Sequence, residues 1–220
     1  MFSLSKFERI WFPFPDFHSN KLLRAHGYRK KNEIRPVVQD AASKAIERLK
    51  SNCAPQGIFS LEEIKVLRAD KLLLESGIEF KCPVFEDMLA GCTHLISFII
   101  TLGKETDIKI ASYSKDVQEP LASLFMETAS RLCLELVMRD ARIQLTQFAV
   151  MNDMKLGSRM APGNSYKVKS ANHRIMWDLN QQVELFNTFQ HFEIPVELLE
   201  SCTMLPRMSR SGIYGLKKTK

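Results

Sequence analysis

Long apolar runs are missing from this 220-residue sequence. No stretch reaches the ~20 residues that a membrane-spanning helix needs, so no transmembrane helix is expected. Cysteine is scarce: Cys53, Cys82, Cys92, Cys133 and Cys202 are five in all, and no two of them form a C-x-x-C. An odd count without metal-ligand spacing excludes a zinc cluster and a disulfide framework. It fits a reducing, cytoplasmic compartment with mostly buried thiols. A concentrated basic stretch is also missing. The formal net charge is +6, but only Arg29, Lys30, Lys31 and the tail Lys217, Lys218, Lys220 are clustered, and neither group interleaves aromatics with cations as a nucleic-acid-binding motif would. A solvated basic surface is expected, with neither nucleic acid nor membrane as a partner. The first residues do not read as a leader peptide, because Glu8, Pro13 and Pro15 interrupt their apolar character and no small-residue cleavage site follows. There is no internal repeat and no low-complexity segment.

What is present is ordinary globular material: 45% hydrophobic and 25% charged residues, in a chain long enough to bury a core without covalent staples. Residues 1–21 form an aromatic, proline-broken N-terminal arm carrying Phe2, Phe7, Trp11, Phe12, Phe14 and Phe17. It either lays these rings over a groove in the main body or reaches out to a partner. Residues 22–220 read as one domain. The stripe Val37, Val38, Ala41, Ala45, Ile46 and Leu49 predicts a helix from Pro36 to Lys50, with the proline suited to the first turn. Residues 58–80 carry two signals. Ser60 and Glu63 could form a capping box stapled by Phe59 and Ile64, whereas Ile64/Val66, Leu72/Leu74 and Ile78/Phe80 alternate at period two. Short antiparallel strands are preferred.

A short helix is predicted over Val84–Leu89, a buried strand over His94–Leu102, and a helix through Ile108 to Tyr113. The clearest stripe, Leu121 to Val137, predicts a helix over 118–140. Residues 152–172 read as loop, 175–192 as an amphipathic helix, and Leu199–Leu216 as two strands about Pro206-Arg207. Helices mixed with short alternating strands indicate an α+β domain, a twisted antiparallel sheet with flanking helices.

The residues that could bind a ligand are individually unremarkable strings. Arg159-Met160-Ala161-Pro162-Gly163-Asn164 puts a forked donor before a turn with exposed backbone, a combination suited to a carboxylate. Downstream come Glu200-Ser201-Cys202-Thr203-Met204-Leu205-Pro206 and Ser209-Arg210-Ser211-Gly212-Ile213-Tyr214, where a strand glycine permits close approach. Glu127 lies off its helix's apolar stripe, between Ser123 and Ser130. It is either a ligand contact or a surface carboxylate paired with Arg131 at i+4.

Taken in order, R-x-A-P-G followed by E-S-x-x-M-x-P-x-x-S-x-S-G-x-Y resembles the reactivation (S-adenosylmethionine-binding) domain of cobalamin-dependent methionine synthase, in its short stand-alone form. Leu23-Arg24-Ala25-His26-Gly27-Tyr28-Arg29 and Thr101-Leu102-Gly103 are similar to further strings of that family, and the resemblance runs from about Leu22 to the C-terminus. It implies a single α+β domain that binds S-adenosylmethionine and supports reductive remethylation of a corrinoid. That cofactor would be carried by a partner, either a methionine synthase or another corrinoid methyltransferase, because no D-x-H-x-x-G string is present. A flavodoxin-like electron donor is also implied. Under this resemblance Arg159 holds the ligand carboxylate, Ala161 and Gly163 line the ligand through their backbone, Glu127 makes a polar contact and Tyr214 packs or hydrogen-bonds near it. No side chain is expected to act as a general acid or base, since cofactors carry such chemistry and the protein positions them. One departure matters. The family has tyrosine directly after P-G, where this chain has Asn164, with Tyr166 two residues on. The alternative implied is a regulatory module of a corrinoid methyltransferase system that has lost S-adenosylmethionine binding.

Overall fold

The computed structural model describes residues 7–28, 34–114, 120–167 and 173–219. The Arg29–Lys31 cluster, Lys169 and Lys220 lie outside them. In chain order the strands are β1 (Phe7–Trp11), β2 (Gln56–Arg68), β3 (Lys71–Leu74), β4 (Glu79–Lys81), β5 (Cys92–Thr101), β6 (Met154–Met160), β7 (Ser165–Lys167), β8 (Arg174–Met176), β9 (Glu197–Leu198), β10 (Met204–Leu205) and β11 (Ser209–Lys218). The helices are α1 (Ser19–Ala25), α2 (Pro36–Asn52), α3 (Phe85–Met88), α4 (Lys104–Ser114), α5 (Pro120–Met151) and α6 (Gln182–Asn187). A seven-stranded antiparallel sheet runs in the order β4-β3-β2-β5-β11-β6, with β1 paired to β2. The chain is an α+β domain, an antiparallel sheet flanked by helices.

Period-two alternation explains both faces of this sheet. On one face, Phe59 of β2, Ile96, Phe98 and Ile100 of β5, and Tyr214 and Leu216 of β11 pack under α1, α2, α4 and α5. On the other, Ile58, Leu95, Ile99, Met160 and Ile213 pack with Phe80, Phe85, Trp177, Leu185 and Phe189. The alternation in 58–80 therefore prevailed over the capping-box alternative. Ser60 and Glu63 both lie in β2, whose first half pairs with β5, and a strand buried on both faces removes more apolar surface from water than a surface helix would. Trp177 is fully buried, edge-on to Phe85 at 5.1 Å and to Phe80 at 5.8 Å.

Several local expectations are corrected. The helix expected over 118–140 continues to Met151 as Ala141, Leu145, Phe148 and Ala149 prolong its buried stripe. The segment 152–172, expected as loop, holds β6 and β7. Strand β6 buries only Leu156 and Met160 and owes its conformation to pairing with β11. The helix expected over 175–192 is broken into β8, a 3-10 turn at Leu179–Gln181 and the short α6. Asp178 starts that turn by accepting a hydrogen bond from the Asn180 amide at 3.0 Å. In the N-terminal segment, β1 joins the sheet, Phe12 and Phe17 are buried in the helix-side core, and Phe7 stacks on Phe192 at 6.1 Å. From Phe7 on the arm therefore folds back onto the domain, and residues 19–21 already belong to α1.

All five cysteines are free. Cys82, Cys133 and Cys202 are buried, and Cys53 and Cys92 are half-buried. Among the described residues no helix is long and apolar enough to cross a membrane, and no three His, Cys, Asp or Glu side chains are placed to hold a metal ion.

Candidate functional site

Strand β6 is the last strand of the sheet, and among the described residues no strand pairs with its outward edge. Its register sets Arg159 directly opposite Tyr214 of β11. Both project to the helix side, where Tyr214 is buried and stacks on Phe98 with centroids 5.2 Å apart. From above, α5 contributes Arg142, whose guanidinium carbon lies 5.5 Å from the Tyr214 ring centroid and whose nitrogens reach toward the phenol oxygen. Burial pushes the Tyr214 phenol above its ordinary value, and the charges of Arg142 and Arg159 pull it partly back. The phenol therefore stays protonated, as a donor. Both arginines are exposed, and among the described residues neither forms an ion pair. Two forked cations and a phenol O–H, with no ion pair to either arginine among the described residues, suit an oxyanion. Arg142 was not singled out from the sequence. It lies two residues beyond the end of the helix expected over 118–140, one scattered cation among many.

Close approach of β6 to β11 depends on Gly212, where an added Cβ would overlap the Met160 carbonyl oxygen and stand 3.1 Å from the Phe98 ring. The glycine in S-G-x-Y thus admits a neighbouring backbone.

Beyond Arg159 the chain enters the P-G turn, which its neighbours hold in place. The Ala161 amide donates to the Tyr166 hydroxyl at 2.6 Å, and that hydroxyl donates to the Ala161 carbonyl at 3.1 Å. The Gly163 amide donates to the Trp177 carbonyl at 2.7 Å, and the Trp177 amide donates to the Asn164 carbonyl at 2.9 Å. Gly163 has a φ of +80°, a left-handed conformation natural to glycine. The fully buried Trp177 anchors the turn to the core. The amides of Ala161 and Gly163 are therefore already engaged, which leaves carbonyl lone pairs and surface as what the turn offers a ligand. Tyr166 does this work, a role its position in the sequence did not disclose. Ala161 and Pro162 are buried, while Gly163 and Asn164 are exposed.

Arg159, Ala161, Gly163 and Tyr214 are thus gathered at one end of β6. Glu127 is not gathered with them. It is exposed on α5, and the helical rise from residue 127 to Arg142 is roughly 22 Å. Arg131, its neighbour one turn on, directs its guanidinium to the Thr128 hydroxyl at 3.3 Å, and Ser130 is buried with its hydroxyl on the Met126 carbonyl at 2.7 Å. Other strings of the resemblance hold architecture. Gly27 closes α1 with its amide on the Arg24 carbonyl and Tyr28 on Leu23, a Schellman-type end. Thr101 accepts hydrogen bonds from the Gly103 amide at 3.1 Å and the Ser209 hydroxyl at 2.9 Å, tying the start of α4 to β11.

No family model matches the sequence, and no curated protein matches it. Among solved structures the chain is similar to the crystal structure of the MetH reactivation domain bound to AdoHcy, with a TM-score of 0.50 and 14% identity, covering 95% of this chain and 78% of that one. At that identity the likeness is one of fold, and the chain has the antiparallel sheet and flanking helices of a reactivation domain.

Proposed function

We propose that this chain is a stand-alone reactivation module that binds S-adenosylmethionine at the β6–β11 corner and supports reductive remethylation of a corrinoid held by a partner, a methionine synthase or another corrinoid methyltransferase in the cytoplasm. The observation that carries this is the convergence of two arginines, Arg142 and Arg159, which form no ion pair among the described residues, on the buried phenol of Tyr214 beside a preformed turn. The fold resemblance to a domain bound to AdoHcy supports the ligand class.

In this reading Arg159 and Arg142 take the ligand carboxylate, Tyr214 donates to it, and the held turn from Ala161 to Asn164 supplies a surface that needs no reordering on binding. A corrinoid held by the partner would supply the reduced metal centre that takes the methyl group, with AdoHcy as the leaving group, and a flavodoxin-like protein would supply the electron. This chain's contribution is to fix the sulfonium ligand's position. The basic surface, +6 overall, suits an acidic electron donor. Calorimetric titration of S-adenosylmethionine into the purified chain and an Arg159→Ala variant tests the reading. Saturable binding that is lost in the variant is expected. Absence of binding to the unmodified chain, alone and with a corrinoid protein, would refute it.

One observation favours a second reading, a regulatory module without S-adenosylmethionine binding. Tyr166 and Trp177 already occupy the turn amides, and the exposed Asn164 supplies no ring. Retained binding to a corrinoid protein with no ligand binding is the outcome it predicts.

A further inference from the structure

Helices α2 and α5 pack against each other over the helix side of the sheet. Small residues stand on both: Ala42 and Ala45 on α2, Ala129 and Cys133 on α5, all fully buried in one core. At the end of α2 this packing sets Cys53 against that core, and its thiol shares a hydrogen bond with the Cys133 thiol. The backbone holds Cys53 there from both sides. Its own amide donates to the Leu49 carbonyl at 2.9 Å, and the next amide, of Ala54, donates to the Leu102 carbonyl at 2.9 Å.

The two thiols are not equivalent. Cys133 is completely buried, whereas Cys53 is half-buried. The hydrogen bond from Cys133 lowers the Cys53 pKa against the opposing effect of burial, and the same bond together with burial raises that of Cys133. The thiolate is the nucleophile, so the more accessible Cys53 is the one that meets a solute, and Cys133 stands within reach to resolve the product. Cys82 and Cys92 are raised by burial, and the Cys202 sulfur is directed to the Asn180 carboxamide oxygen at 3.9 Å.

We propose that Cys53 and Cys133 form a peroxide-responsive dithiol, whose oxidation to a disulfide fastens the end of α2 to α5 and is reversed by small thiols. The Cys53 thiolate attacks hydrogen peroxide. The S–O bond forms as the O–O bond breaks, and the departing oxygen leaves as water with the thiol proton. The Cys133 sulfur then attacks the Cys53 sulfenic acid. The S–S bond forms, the S–O bond breaks, and the hydroxyl leaves with the Cys133 proton as a second water. The two sulfurs together give up the two electrons that reduce the peroxide. Two molecules of a reducing thiol reverse the bond by exchange and are themselves oxidised, so the disulfide is transient wherever thiols are kept reduced. This inference is independent of the ligand proposed above.

The test treats the reduced full chain with hydrogen peroxide, blocks remaining thiols, and maps peptides by mass spectrometry without reductant. The free thiol count falls by two from five, a Cys53–Cys133 cross-linked peptide appears, and dithiothreitol removes it. Closing a loop of about 80 residues raises the unfolding midpoint of the oxidised chain. In Cys133→Ala the Cys53 sulfenic acid accumulates and is trapped by dimedone; in Cys53→Ser the buried Cys133 stays a thiol. Five thiols surviving peroxide that oxidises free cysteine would overturn the inference. So would a cross-link between other cysteines, a midpoint that falls on oxidation, or Cys133 oxidised in Cys53→Ser as fast as in the parent. The thiol count and the cross-link are read on the unmodified chain, so they decide the matter even if a variant fails to fold.

Discussion

Replacing Gly212 with alanine places a methyl group against the Met160 carbonyl oxygen and 3.1 Å from the Phe98 ring, at the end of the β6–β11 pairing that begins with Ile213 opposite Met160. Neither neighbour is a flexible side-chain end. Met160 is fully buried and its carbonyl belongs to β6, while Phe98 is clamped between Phe59 and Tyr214. Strand β6 must therefore move outward. Overpacking of this kind costs about 1–3 kcal/mol. For a chain of this size each kcal/mol lowers the unfolding midpoint by about 2–4 °C, so a drop of roughly 2–12 °C is expected. Gly77→Ala is the control. Gly77 has a φ of +89° and open space around it, so it costs only left-handed strain, about 1–2 kcal/mol. The assay is thermal unfolding by circular dichroism together with ligand calorimetry. Gly212→Ala should lower both midpoint and affinity, because displacement of β6 carries Arg159 away from Tyr214, whereas Gly77→Ala should spare affinity. A Gly212→Ala variant with unchanged midpoint and affinity would refute this account of the site.

Tyr166→Phe removes the hydroxyl that satisfies both the amide and the carbonyl of Ala161. A buried amide left without its partner costs about 1–3 kcal/mol, and faster hydrogen exchange at Ala161 would report it. Glu127→Gln should leave ligand affinity within about twofold, which is less than 0.5 kcal/mol, since the corner containing Arg142 and Arg159 lies far along α5; a larger loss measured by calorimetry would bring Glu127 back into the site. His26 packs edge-on to Phe125 at 5.0 Å, and burial, followed by the Arg131 charge, lowers its folded pKa. The unfolded chain then takes up the proton first as pH falls below the ordinary histidine value of 6.5, so stability present above that pH is lost on acidification. His26→Gln should flatten this part of a urea-midpoint profile across pH 7 to 5, relative to the parent chain.

Much of the fold was legible from local signals. Helix α2 followed from its apolar stripe and Pro36, the strands within 58–80 from period-two alternation, and β5 from a continuous apolar, β-branched run, because burial on one or two faces writes its pattern into the sequence. The strands missed were those whose conformation is not local. Strand β6, with Gly157 and exposed Lys155, Ser158 and Arg159, has little strand character of its own. It is extended because β11 offers a ladder of backbone partners. Strand β1 is likewise supported by β2. The end of α5 was missed because a stripe interrupted by Arg142, Gln144 and Gln147 looks weaker than it is when one face is solvated.

The sequence by itself determined the class of molecule, an α+β domain with a net charge of +6, and its ordered strings resemble a reactivation domain, whose fold the chain shares. Only the tertiary structure decided which charges meet. Arg142 joins Arg159 through the packing of α5 over the sheet, Glu127 is left on a distant turn of the same helix, and Tyr166 takes the backbone groups of Ala161. The physical reason is that helix period and strand alternation are set by neighbours along the chain, whereas the meeting of side chains at a site depends on strand register and helix packing, which arise from contacts between segments remote in sequence.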